Sequence, residues 1–155
     1  MKYAAALLLC LMPLLANALE PGDQLAPFTL LDQHDQAYSL GAGTHILLVA
    51  RDMDGAKLVK TALADQPKGY LQARHAVFLA DIQRMPAIIG KLFAIPAMRD
   101  YNYRVMLDRE GRVASRYGVE EGQVLWLQLD HRVLAGQQVY SDAAALKTAL
   151  ERATP

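Results

Sequence analysis

The sequence predicts one α/β domain, a three-layer arrangement with a central mixed sheet flanked by helices, preceded by a cleaved signal peptide. Two observations predict the sheet. Apolar runs at residues 45–50 and 76–80 are separated by a helical pattern, and a connection of that length implies parallel pairing. Residues 124–129 and 133–140 are separated by a short polar turn, which implies an antiparallel hairpin. With 155 residues, the chain can build one hydrophobic core and is too short for two.

The first eighteen residues have the pattern of a signal peptide. Lys2 supplies a positive start, residues 4–15 are almost wholly apolar, and Ala16-Asn17-Ala18 offers small residues for cleavage. The apolar run is shorter than the roughly 20 residues that span a bilayer. We therefore predict cleavage near Ala18 and a periplasmic domain of residues 19–155 with no membrane span. The alternative is an uncleaved N-terminal anchor.

Cysteine content and charge exclude several classes of function. Cys10 is the only cysteine and lies in the predicted signal peptide, so the processed chain would contain none. Its stability would then come from the core, without the disulfides common in small exported domains. The chain has 16 basic and 16 acidic residues, so it lacks the excess of basic charge typical of nucleic-acid binding, and we expect no nucleic-acid partner.

The first half begins with two short strands and continues through two helices. Residues 28–31 and 37–40 are predicted to form a hairpin around a polar turn. A helix is predicted from Asp54 to Asp65, capped by Asp52 or Asp54 and stopped by Pro67-Lys68-Gly69. Residues 86–95 form a second helical pattern, which begins at a proline and closes before another.

The second half adds a strand, the hairpin and a final helix. Residues 103–107 alternate as in a strand, and residues 108–111 form a turn. The last helix is predicted over residues 142–152 with Ser141 as its cap. Its inner face is predicted to carry Ala145, Leu146, Ala149 and Leu150.

This order of elements resembles the thioredoxin-like superfamily, in particular its peroxiredoxin and periplasmic thioredoxin-like branches. Short sequences such as Gly22-Asp23, Ala26-Pro27 and Tyr117-Gly118-Val119 look like signatures of the peroxiredoxin-type branch. The resemblance covers about residues 21–152. It implies a redox site where the helix that follows the strand at residues 45–50 begins.

The chain departs from that family at the redox site. Active members place a cysteine at the helix N-terminus, where the helix dipole favours the thiolate, and a second cysteine three residues later. Asp54 and Lys57 stand at those positions. The family's cis-proline corresponds to Gly122-Gln123, which we expect to be trans. The resemblance therefore implies a cysteine-free, redox-inactive member, without thiol-disulfide or peroxidase activity from its own side chains.

Residues 52–55 connect the strand at residues 45–50 to the helix, and we call them the elbow. The polar residues in and around the elbow are candidates for a binding site. They follow a parallel strand at its carboxyl end, where loops often carry function. The candidates are Arg51, Asp52, Asp54, Lys57, Gly122 and Gln123. A small ligand or a partner peptide could bind there; alternatively, these residues only cap the helix and form a local ion pair. We predict no catalytic residue.

No pattern predicts a metal or a cofactor. The histidines and methionines of the processed chain are scattered, without ligand spacing, which favours surface histidines and core methionines over a copper site: His34, His45, His75, His131, Met53, Met85, Met98 and Met106. No glycine-rich phosphate loop occurs. Five arginines between Arg99 and Arg116 could engage an acidic partner or a phosphate of a flavin or nucleotide. Asp100, Asp108 and Glu110 are interleaved with them, which favours a mixed solvated face.

Together these observations predict a binding or scaffolding module in the periplasm, whose partner is another envelope protein. The alternative is an oxidoreductase, or an accessory subunit of a redox system, that uses non-thiol chemistry such as flavin-linked chemistry.

Overall fold

The computed structural model describes residues 18–153. The predicted signal peptide up to Asn17, with Cys10, lies outside the described residues, as do residues 154–155. The elements are β1 (Thr29–Asp32), β2 (Ala37–Ser39), β3 (Ile46–Ala50), α1 (Met53–Leu63), α2 (Tyr70–Ala73), β4 (Ala76–Asp81), α3 (Ala87–Ile89), a π-helical turn (Gly90–Ala94), α4 (Ile95–Met98), β5 (Val105–Asp108), a 3-10 helix (Ala114–Tyr117), β6 (Val124–Asp130), β7 (Val133–Tyr140) and α5 (Ala143–Arg152).

Seven strands form one mixed sheet in the order β2-β1-β5-β4-β3-β6-β7. The pairs β3–β4 and β4–β5 are parallel, and the other neighbours are antiparallel. The predicted α/β class, the parallel crossover and both hairpins are therefore confirmed. The strands β3 and β4 lie at the centre and are buried along their whole length, as their continuous apolar sequences predict.

The two faces of the sheet bury different sets of side chains. On one face, alternate residues such as Leu48, Phe78 and Trp126 contact α1, α2, α4 and α5. On the other face, Leu47, Leu79 and their neighbours contact the N-terminal segment and the 3-10 helix. The alternation follows from the two-residue period of a strand.

The second predicted helix extends further along the chain than the sequence predicts. Residues 87–98 form one continuous helix made of α3, the π-helical turn and α4, and we call it the π-bulged helix. It does not close before Pro96 but continues to Met98, and Pro96 occupies the first turn of α4. The wider π turn, in which Ile95 N–H donates to Gly90 five residues back, accommodates the proline that would disrupt a regular α-helix.

Smaller differences from the prediction concern the last helix and the segment before β4. Asp142, not Ser141, caps α5, because its carboxylate accepts a hydrogen bond from Ala145 N at 2.9 Å. Leu146 and Leu150 are buried as predicted, whereas Ala145 is exposed. The short helix α2 was not predicted from the sequence. Within residues 18–153, every helix is too short or too polar to cross a membrane.

Candidate binding site at the start of helix α1

Asp52 connects the start of α1 to the loop before β6. One carboxylate oxygen accepts a hydrogen bond from Gly55 N at 2.8 Å, which makes Asp52 the N-cap of the helix. The other oxygen accepts from Gly122 N at 2.9 Å. Both oxygens are thus committed to backbone N–H groups in two segments, and the half-buried carboxylate has a clear structural role.

Gly55 allows the same two segments to approach each other closely. A Cβ atom on Gly55 would lie 2.6 Å from the carbonyl oxygen of Gln123, a distance that real Cβ atoms do not tolerate. Gly122 adopts a positive φ of 71°, which favours glycine. All peptide bonds in the described part of the chain are trans, including that between Gly122 and Gln123. Gly55 therefore permits the close approach of the two segments, and Gly122 permits the backbone conformation that this approach requires.

Asp54 and Lys57 turn away from this junction. Their side chains are 78% and 69% exposed, and the ammonium group lies 3.5 Å from the carboxylate. Arg51 is half-buried and donates to the carbonyl oxygen of Val119 at 3.5 Å. The structure thus joins Asp52 to Gly122, and Asp54 only to Lys57. These contacts are the cap and local ion pair that the sequence offered as the alternative to a binding site.

A cleft of about 490 Å³ nevertheless opens at the elbow, and we call it the elbow cleft. Its lining includes Arg51, Asp52 and Asp54 but not Lys57, Gly122 or Gln123. The remaining lining residues, none of which was proposed from the sequence, are Met53, Asp81, Ile82, Arg84, Met85, Pro86, Ile89 and Glu121. A 2.7 Å ion pair between Arg84 and Glu121 connects its two walls.

The π-bulged helix exposes large apolar side chains beside the elbow cleft. Ile88 is 70% and Phe93 65% exposed, and Ile89 and Leu92 are also exposed. We call these four residues the apolar face; Ile89 lies in both the face and the cleft. The sequence carried a signal for it, since residues 86–95 are apolar almost all round and contain one charged residue, Lys91. A helix with only one face on a sheet cannot bury all of them.

Four of the five arginines between Arg99 and Arg116 form ion pairs with acidic side chains. Arg104 donates to the buried carboxylate of Asp32 at 2.6 Å and stacks on the ring of Tyr38. Burial acts to raise the pKa of Asp32, but hydrogen bonds from Gln36 N, Arg104 and His34 N outweigh it, so that this pKa lies below its usual value.

Asp108 does not belong to a solvated face, contrary to the prediction. It is buried and accepts hydrogen bonds at 2.8 Å from Val113 N and Ala114 N, and at 3.2 Å from Arg112 N. A carboxylate used in this way holds the backbone that follows β5.

Metal-ligating residues do not gather in residues 18–153: no three His, Cys, Asp or Glu side chains there come together as a metal site. The four predicted surface histidines are all exposed. Met98 and Met106 are in the core as predicted, whereas Met53 is exposed beside the elbow.

The comparisons with known proteins identify the fold. No family model and no curated protein matches the sequence. Among solved structures, the chain is similar to a protein assigned as the thiol:disulfide interchange protein DsbE of Chlorobium tepidum, with a TM-score of 0.61 and 20% identity over 87% of this chain and 95% of that one. It is also similar to the peroxidoxin BcpB of Mycobacterium tuberculosis (TM-score 0.54, 19% identity, 87% and 97% covered).

A third similar structure is the thioredoxin domain of a thiol-disulfide oxidoreductase from Bacteroides vulgatus, with a TM-score of 0.53 and 16% identity over 87% and 98% of the two chains. The three structures share their fold with this chain. Their sequence identity to it is too low to infer a shared function. The protein therefore has a thioredoxin-like α/β fold with a seven-stranded mixed sheet, and its single cysteine lies outside the described residues.

Proposed function

We propose that the protein is an exported, redox-inactive thioredoxin-fold module that binds another protein of the bacterial envelope. The observation that supports this most directly is the apolar face, where four large apolar side chains of one helix are exposed beside a cleft. Contiguous apolar surface of this kind marks protein–protein contact sites more often than ordinary protein surface.

The polar surroundings of the apolar face also favour a protein partner. Protein interfaces combine an apolar centre with a polar rim that carries charges of both signs. In the elbow cleft, Met53 and Ile89 provide apolar surface, and the ion pair of Arg84 with Glu121 provides a rim of both signs. Asp54 adds an exposed carboxylate at the same edge.

The chemistry available at the elbow is consistent with binding rather than thiol exchange. The positions that hold cysteines in redox-active thioredoxin-like proteins hold Asp54 and Lys57, and residues 18–153 contain no cysteine. Neither side chain can form the mixed disulfide that such exchange requires. We expect the purified, processed protein to reduce no disulfide and no peroxide, and turnover of either would contradict the redox-inactive assignment.

Site-specific photo-crosslinking in the native host tests the proposed partner binding. A benzoylphenylalanine replaces Phe93 on the apolar face, or Glu151 on the exposed side of α5 as the matched control. We expect a discrete adduct with one envelope protein from residue 93 and none from residue 151. Equal patterns from both positions, or no adduct from residue 93, would remove the apolar face as a docking surface.

Two variants then measure binding to the crosslinked protein once it is purified. Leu92→Glu places a charge in the apolar centre, and we expect it to weaken binding by about tenfold or more, or at least about 1.4 kcal/mol. Asp54→Asn removes an exposed charge at the rim, and we expect weaker binding with little change in melting temperature. If Asp54→Asn binds like the unmodified protein, the elbow is not part of the interface.

A further inference from the structure

A second and larger cavity adjoins the elbow cleft, and the two share Ile82, Arg84, Met85 and Pro86 in their linings. Its volume is about 910 Å³, within the range of small-molecule sites in proteins. It is bordered by β1, the segment 82–86 and the π-bulged helix, and it is open to solvent. Its apolar wall is formed by Leu31, Ile82, Met85, Pro86, Ile95 and Pro96.

The charged residues that line this cavity are mostly basic. Arg84, Lys91, Arg99 and Arg109 line it together with one carboxylate, that of Asp35. Arg84 is already paired with Glu121 of the elbow cleft, which leaves three cations against one carboxylate. The whole chain, in contrast, has as many acidic as basic residues. The cavity is thus a local concentration of positive charge, and such a concentration attracts anions.

Two of these cations lie close together with unused hydrogen-bond donors. Arg99 and Arg109 each place a guanidinium nitrogen 3.3 Å from a different oxygen of Asp35. Arg99 Nε also donates to the carbonyl oxygen of Gln33 at 2.9 Å, which fixes its position. A guanidinium has five N–H donors, so each arginine retains N–H groups that can donate hydrogen bonds to a second anionic group.

From this arrangement we propose that the cavity binds a small amphipathic anion, whose carboxylate or phosphate head meets Arg99 and Arg109 and whose apolar body lies on the wall formed by Ile82, Met85 and Ile95. Arginine pairs are suited to such heads because they bind carboxylates and phosphates in a bidentate manner. The apolar wall adds affinity in proportion to the carbon surface that it covers. This site does not depend on the docking of a protein at the apolar face.

A set of eight-carbon probes tests the charge preference. Octanoate and octyl phosphate carry the two anionic heads, octanol is neutral, and octyltrimethylammonium is cationic. Binding to the protein purified from its native host is followed by calorimetry and by amide chemical shifts. We expect one or both anions to bind about tenfold or more tightly than octanol and octyltrimethylammonium, with the largest shifts at Leu31, Ile82 and Ile95. The ratio of the two anions distinguishes a carboxylate ligand from a phosphate ligand.

Matched variants test the place of binding. Arg109→Gln removes a cavity cation, and Lys68→Gln removes an exposed cation in the turn before α2, at the opposite end of β4. We expect Arg109→Gln to weaken anion binding about fivefold or more and Lys68→Gln to leave it unchanged. Ala87→Trp, which places a large side chain in the cavity, should abolish binding of every probe.

Three results would overturn the proposal: equal affinity for all probes, no binding of either anion up to about 5 mM, or equal effects of Arg109→Gln and Lys68→Gln. Leu92→Glu separates this proposal from the preceding one. Leu92 belongs to the apolar face and not to the cavity lining, so this variant should lose the protein partner and still bind octanoate.

Discussion

The double role of Asp52 leads to a quantitative prediction about stability. Asp52→Ala removes the helix cap, which costs about 0.5–2 kcal/mol, and it leaves Gly122 N without its acceptor. A hydrogen bond to a charged group contributes about 1.5–3 kcal/mol, and Asp52 is only half-buried, so that we take the lower end of that range. We expect Asp52→Ala to lower the free energy of unfolding by about 2–3 kcal/mol.

Asp52→Asn separates the two contributions. Asparagine is as good an N-cap as aspartate, and its side-chain oxygen can still accept from Gly55 N. Its amide nitrogen, however, cannot accept from Gly122 N. We therefore expect Asp52→Asn to lose about 1–1.5 kcal/mol, with the cap retained.

Urea unfolding at pH 7, followed by circular dichroism, measures both variants. The slope of free energy against urea should stay constant, because the surface exposed on unfolding does not change. In a thermal melt the loss for Asp52→Ala corresponds to about 6–9 °C, at roughly 3 °C per kcal/mol for a domain of this size. If Asp52→Asn is as stable as the unmodified protein, the bond to Gly122 contributes nothing and the reasoning is wrong.

Two further predictions concern close packing and a buried ion pair. Gly55→Ala should destabilise the protein by about 1–3 kcal/mol in a thermal melt, because the new methyl group meets the Gln123 carbonyl. Elsewhere in a helix the same change stabilises by about 1 kcal/mol, and Gly43→Ala, which faces open space, should be neutral or slightly stabilising. Arg104→Gln should destabilise more at pH 7 than at pH 2 in urea titrations, because it removes a hydrogen bond that lowers the pKa of Asp32. A lowered carboxyl pKa stabilises the folded state above about pH 4 and ceases to do so as pH falls through the folded value. An equal loss at both pH values would show that Arg104 acts only through its packing on the neighbouring ring.

The sequence predicts elements of this fold well where local pattern and burial agree. The strands β3 and β4 are continuous apolar runs, and they form the buried centre of the sheet. Asp52 precedes an amphipathic run, so that its role as a cap could be predicted from position alone. In both cases the determining interactions lie within a few residues of one another.

Other features could not be predicted because they depend on contacts between distant segments. The bond from Gly122 to Asp52 joins residues 70 positions apart, and no local pattern indicates it. Asp108 lies among charged residues in the sequence, yet the backbone that follows β5 folds over it. The exposure of Phe93 depends on which side of its helix faces the sheet, and the hydrophobicity of residues 86–95 does not specify that side.

The contact between Asp54 and Lys57 has a consequence for protein engineering. One turn of helix holds these two side chains at the surface and brings their tips within 3.5 Å. The first turn of α1 therefore presents two exposed side chains that reach each other. Asp54→Cys together with Lys57→Cys would therefore place two thiols within reach of each other without rebuilding the first turn of the helix.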